Sequence, residues 1–199
     1  PLPGVATNWT VSADRRSYTF HLRGDAAWSD GRPLEAEDFR RSWLRVLDPA
    51  TAARYASFLF LIVNAEAFNN GTIKDPALVG IRTLDRHTLR VDLVNPAPYF
   101  PAMTAFYVTL PVPGHCLDAH KTRWTDPRHI VSNGPFILES WQMHRQIVLV
   151  KNPRYHGRDR VRLEKIVFLP IEDTGTVLNL YRRGEIDVLF STTVIEVGI

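Results

Sequence analysis

Three groups of residues in this sequence have the types and spacing for chemistry. His115, Cys116, Asp118 and His120 fall within HCLDAH. On a helix Cys116 and His120 would share a face, the beginning of a zinc site that still needs ligands from elsewhere; the plainer reading is a surface helix. Glu35, Glu37 and Asp38 could supply paired carboxylates for acid–base work, although solvated carboxylates at a helix start also complement its dipole. Tyr55, beside Arg54 in an apolar run, is either a core tyrosine with its hydroxyl satisfied or a ligand contact. Nucleophile and phosphate motifs are missing: there is no G-x-S-x-G, no G-x-x-x-x-G-K-[ST] and no G-x-G-x-x-G, so hydrolase, P-loop and dinucleotide-binding readings lack their anchors. Cys116 with His115 or His120 imitates a thiol pair, but sequence neighbours are seldom the spatial partners of a catalytic dyad. No catalytic residue, metal or cofactor is expected.

The elements that must position these residues are well punctuated. In WSDGRPLEAEDFRRSWLRVLDP, Asp30-Gly31 marks a turn and Pro33 fixes its own φ. Phe39, Trp43, Val46 and Leu47 then recur on one face of a helix that Pro49 stops. Residues 17–23, SYTFHLR, alternate as a half-buried strand, and a polar turn at Asp14-Arg15-Arg16 predicts a hairpin with Trp9 to Val11. After Pro49 the run to Asn69-Asn70-Gly71 is apolar nearly all round and predicts a buried helical region. Val79 to Leu93 predicts a second hairpin, with Leu89, Val91 and Leu93 inward and Arg90 and Asp92 outward. A proline-rich stretch, Asn95 to Pro101, precedes a helix expected from Phe100 to Ala105. Two antiparallel strands are expected on either side of a broad loop from Trp141 to Gln146. Val161 to Phe190 has the order strand, helix, strand, which predicts a βαβ unit with a parallel sheet.

The 199 residues are 45% hydrophobic, enough to bury a core. No window approaches the 18 uninterrupted apolar residues of a membrane helix. The formal charge of +3 is spread along the chain; the densest basic group, Arg158, Arg160, Arg162 and Lys165, reads as the wet face of a strand, so nucleic acid is not expected. Cys116 is the single cysteine, which excludes an internal disulfide. Pro1-Leu2-Pro3-Gly4 has neither the basic start nor the apolar core of a signal peptide, leaving a mature product, an engineered chain and a fragment of something longer all open.

Taken in order, GVATNW, YTFHLRGDAAWSDGRPLEAEDF, RVLDPATAARYA, GIRTLDRHTLRVDL, NPAPYF, LPVP, IVSNGPF, LVKNPRYH and LPIEDTGTVLNLYRRGEID make the chain resemble bacterial extracytoplasmic solute-binding proteins of the peptide and nickel transport family. The likeness is strongest to oligopeptide-binding proteins of ABC importers, and it covers about residues 4 to 190. The resemblance implies a two-lobed periplasmic-binding-protein-like fold that closes on a short peptide and delivers it to a membrane permease. The fold class implied is α+β, with mixed sheets and helices. Residues 1–190 would be part of the first, N-terminal lobe, with the second lobe absent and 191–199 an unassigned tail. Tyr55 matches the tyrosine of the family's D-P-x-T-A-x-x-Y-A segment, which contacts bound peptide. Glu35 departs from the family's usual Thr or Ser helix cap, implying a weaker helix start.

The expectation is therefore a monomeric, extracytoplasmic peptide binder with no chemistry of its own, periplasmic or lipid-anchored, that partners an ABC-transporter permease. As a fragment lacking one wall of its cleft it should fold incompletely or bind weakly. A metal or metallophore carrier of the same superfamily, a hydrolase with a hidden triad, and a structural module with an obstructed cleft are the alternatives.

Overall fold

The computed structural model describes residues 3–190, so the tail at 191–199 lies outside the described residues. Strands β1 (Ala6–Val11) and β2 (Ser17–Leu22) form the expected hairpin. Its turn is closed by Asp14, whose carboxylate accepts from the Arg16 N–H at 3.1 Å. Helix α1 (Ala36–Leu47) follows, and strands β3 (Ile81–Asp85) and β4 (Thr88–Asp92) make the second hairpin. The four strands form one antiparallel sheet in the order β1-β2-β4-β3. Period-two alternation puts Tyr18, Phe20, Leu22, Leu89, Val91 and Leu93 on the covered side, where all are buried. Arg90 and Asp92 lie on the other side and pair with each other at 2.9 Å.

Helix α1 packs on β3 and β4 and closes this core with Trp43 and Leu47. Its start corrects the expectation of a weak cap. Asp38 in the first turn reaches back to accept from the Glu35 N–H at 2.9 Å while the Glu35 carboxylate faces the Asp38 N–H, so the two residues form a capping box without a Thr or Ser. At the other end the Asp48 carboxylate accepts from the Ala50 N–H at 2.9 Å and opens a 3₁₀ turn, Pro49–Thr51.

The apolar run after Pro49 is not one helical region. It breaks into that turn, a second 3₁₀ turn at Ala56–Leu59 and a short helix α2 (Ala65–Asn69). Ile62 between them bridges to Leu93. An all-round apolar run carries no periodicity, and here the sheet supplies partners that draw its backbone out of a helix. Helix α3 (Phe100–Met103) is shorter than expected, and α4 (Gly114–His120) carries HCLDAH.

A second antiparallel sheet, order β5-β6-β7, comprises Phe136–Gln142, Gln146–Lys151 and Lys165–Phe168. The connection of β5 and β6 is a tight turn through His144, at φ 57°, rather than a broad loop. Buried Asn152 pins the Asn133-Gly134-Pro135 turn by donating to the Gly134 carbonyl at 2.8 Å. Helix α5 (Thr174–Arg182) is the helix expected in this passage, and Asp173 caps it by accepting from the Thr176 N–H at 2.7 Å. The parallel βαβ reading is wrong: β7 runs antiparallel to β6, and Ile186 to Phe190 pairs with no strand among the described residues. The basic residues from Arg158 to Arg162 precede β7 in a 3₁₀ turn and loop, not on a strand.

The two sheets meet through the Trp28–Arg32 turn. Gly31 takes φ 93°, a conformation that favours glycine, and the turn closes with Trp28 N–H donating to the Arg32 carbonyl at 2.8 Å. Its Ser29 N–H donates to the Ser132 carbonyl at 2.7 Å, and the Ser29 carbonyl accepts from Arg154 at 3.0 Å.

Candidate functional site

The first two chemical groups are absorbed by structure. Glu35 accepts from the Arg86 guanidinium at 2.8 Å, and Glu37 accepts from Arg40 at 2.8 Å and from the Thr83 hydroxyl at 3.3 Å. Asp38 also accepts from the Trp28 indole at 3.3 Å. Burial raises the Asp38 carboxyl above the usual carboxylate range, against those hydrogen bonds. These three groups hold a helix start; they do not face a shared reactant. In HCLDAH, His115 pairs with Asp30 at 2.8 Å, Asp118 receives two hydrogen bonds from Arg41 at 3.0 Å, and His120 stacks on His129 with centroids 3.8 Å apart. Cys116 is buried, its thiol donating to the His129 carbonyl at 2.9 Å. Burial also raises this thiol above its ordinary range, which disfavours the thiolate. Among the described residues no three His, Cys, Asp or Glu are grouped to hold a metal ion.

Tyr55 stands differently. It occupies the N-cap of the Ala56–Leu59 turn and is 39% exposed. Its ring meets Phe106 and Tyr107 nearly edge-on, with centroids 5.7 Å away in each case. Phe58 lies against Phe106 at 4.7 Å, so half-buried Phe58 and Phe106 form a base from which Tyr55 and Tyr107 project. The Arg54 guanidinium sits over the Tyr55 ring at 5.9 Å. Local desolvation and then the neighbouring Tyr55 phenol hold the Tyr107 phenol above its usual range.

Both walls of this patch hang from α1. Its C-terminal end feeds directly through Asp48 and Pro49 into the segment that carries Tyr55. Trp43, 2% exposed, donates from its indole to the Thr109 carbonyl at 2.8 Å. The Ser42 hydroxyl accepts from the Val112 N–H at 2.8 Å, and the buried Thr109 hydroxyl donates to the Phe106 carbonyl at 2.8 Å. Phe106 and Tyr107 are the residues that sequence reasoning missed. The proline-rich text around them has no period, and only the tertiary bonds to Ser42 and Trp43 bring them beside Tyr55. A separate apolar groove of about 300 Å³ lies between the first sheet and residues 101–111, with Val5, Trp9, Phe20, Phe39 and Leu110 in its walls. Tyr55 is outside it, and the groove continues the core around Trp43.

The chain matches the family described as bacterial extracellular solute-binding proteins, family 5 Middle, over residues 1–196. It is 40% identical over 199 residues to the periplasmic oligopeptide-binding protein OppA of Salmonella typhimurium, covering 98% of this chain and 36% of that protein. It is 37% identical over 188 residues to the probable deoxycholate-binding periplasmic protein YgiS of Escherichia coli, covering 94% of this chain and 35% of that protein. The structure of Haemophilus influenzae OppA in complex with RPPGFSPFR superposes with a TM-score of 0.88 at 35% identity, over 92% of this chain and 36% of that one. An oligopeptide ABC-transporter substrate-binding domain from Bacillus anthracis gives a TM-score of 0.90 at 37% identity, over 94% of this chain and 36% of that one. The chain thus spans about a third of the length of these relatives, and it belongs to the family 5 bacterial extracellular solute-binding proteins.

Proposed function

We propose that these residues are part of the substrate-binding component of an ABC importer, which captures short peptides outside the cytoplasm and delivers them to a membrane permease. The observation that carries this reading is the exposed Tyr55, set against Phe106 and Tyr107 beyond the end of α1, in a chain of this family. An extended peptide offers its backbone to such a surface, and wet pockets then accommodate varied side chains. Residues 1–190 are read as part of the first lobe, with the opposing wall of the cleft supplied by a longer protein. The exposed apolar residues Val167, Phe168 and Leu169 fit that reading, since further chain would cover them. The protein acts by binding and release rather than by catalysis, as a monomer. Its place is periplasmic or otherwise extracytoplasmic.

Calorimetric titration of the intact protein with mixed tri- to pentapeptides tests this: micromolar binding is expected. Absence of peptide binding alongside tight binding of a bile acid such as deoxycholate would overturn it. The 199 residues alone are expected to bind the same peptides far more weakly, because a cleft needs both walls.

A further inference from the structure

We infer that Phe106 and Tyr107, with Tyr55, form a specificity wall that selects a peptide carrying an aromatic or large apolar side chain over one carrying a cation. The inference rests on the peptide-binding reading and adds the class of side chain preferred.

Four rings, Tyr55, Phe58, Phe106 and Tyr107, form a continuous cluster, with Phe106 and Tyr107 centroids 4.5 Å apart. The two outer rings remain largely open: Tyr55 is 39% and Tyr107 is 58% exposed. Near-perpendicular pairs at 86° and 88° leave ring faces and edges available to one more ring, which would be attracted in the same edge-to-face manner. Phe58 and Phe106 bring no polar group, so a charged side chain laid on that base would give up hydration with only the rims of Tyr55 and Tyr107 to replace it. Arg54 already takes the cation place over the Tyr55 ring, so a lysine or arginine side chain arriving there meets its like charge and a phenylalanine meets none. The cluster is also braced: the Thr109 hydroxyl holds the Phe106 carbonyl, and Trp43 holds Thr109. Little ordering is then required of the protein when a ring docks.

The test uses the intact protein and a trialanine series in which each position in turn is replaced by Phe, Leu or Lys, with Kd read by calorimetry. At one position Phe is expected to bind at least about tenfold tighter than Lys, the scale of discrimination an apolar site gives between side chains, with Leu between them. Phe106→Ala and Tyr107→Ala should each reduce that ratio to below about threefold. Phe106 is half-buried and its variant needs a melting curve to verify the fold, whereas the exposed Tyr107 variant gives the same readout without that risk. Tight binding of every wild-type series member without discrimination would overturn the inference and leave the peptide-binding reading intact. A Phe-to-Lys ratio unchanged in both variants would also overturn it, by removing these rings from the selection. Failure of all the peptides to bind would overturn both.

Discussion

The two sheets of this chain are built from the same kind of alternating sequence and end in different states. In the first, Tyr18, Phe20 and Leu22 on β2 and Leu89 and Val91 on β4 are buried beneath α1 and its neighbours. In the second, Val148 is the one buried residue of three strands, while Val167 and Phe168 on β7 and Leu169 beyond it stay exposed. Alternation tells which face of a strand seeks cover; it does not tell whether the cover lies in the same stretch of chain. The first sheet has its helix within 50 residues of sequence, joined by Trp43 and Leu47. For the second, α5 offers no buried residue. The site follows the same division, because both walls around Tyr55 hang from the helix of the covered unit.

Closure of the first sheet depends most on Trp43, which is 2% exposed. Trp43→Ala should cost about 3 kcal/mol or more, the range for emptying a buried aromatic site, and chemical denaturation would measure it. A cost below about 1 kcal/mol, typical of a surface change, would mean that the first unit is no more closed than the second. Within the second sheet, Val148→Ala should cost about 1.5 kcal/mol, roughly two buried carbon groups. Phe168→Ala should fall within about 0.5 kcal/mol in these 199 residues. A markedly costlier Phe168→Ala in a longer protein containing these residues would show that further chain covers β7.

Acid unfolding separates two carboxylates of the covered unit. Burial works against the Asp92 carboxylate, but hydrogen bonds from Ser17 and Arg90 prevail and hold it below its ordinary range. Its contribution is present above the ordinary value of 3.8 and is lost as pH falls through its lower folded value. Asp38 has the opposite sign: its folded value is raised, so the native state binds the extra proton and stability from this group grows as pH falls towards 3.8. Asp92→Asn should therefore make the acid limb of a stability–pH curve shallower, and Asp38→Asn should make it steeper. Equal slopes in both variants and wild type would contradict this account.

Much of this was legible in sequence where local rules and tertiary contacts agree. Asp30-Gly31, Asp14-Arg15-Arg16 and the alternation of SYTFHLR and TLRVDL foretold both hairpins and the turn before α1, because each pattern has one low-energy reading. The Thr51 to Gly71 run had no period to read, and its path is set by contacts such as Ile62 with Leu93. Ile186 to Phe190 looked like a strand, but a strand is defined by a neighbour that composition does not name. Glu35 looked like a poor cap because the start is a reciprocal box whose other half, Asp38, sits three residues later and reaches back. Tyr55 was visible through its family segment, whereas Phe106 and Tyr107 were not, since only the bonds from α1 to Thr109 and Val112 bring them to the same place.

The smallest effect is expected at Glu37. Its carboxylate is engaged by Arg40 and Thr83 on the sheet side of α1, so Glu37→Gln in the intact protein should leave peptide Kd within about twofold, as for surface changes away from a site. A large loss would return the acidic cluster to the functional account.

If α1 presents Tyr55 to a bound peptide, as proposed, Tyr55→Ala in the intact protein removes that contact. Calorimetry with the tightest tripeptide should show Kd weakened by about tenfold or more, as expected for truncating an aromatic contact at a binding surface, with the melting temperature of the unliganded protein little changed. Wild-type affinity in a folded Tyr55→Ala protein would contradict the account.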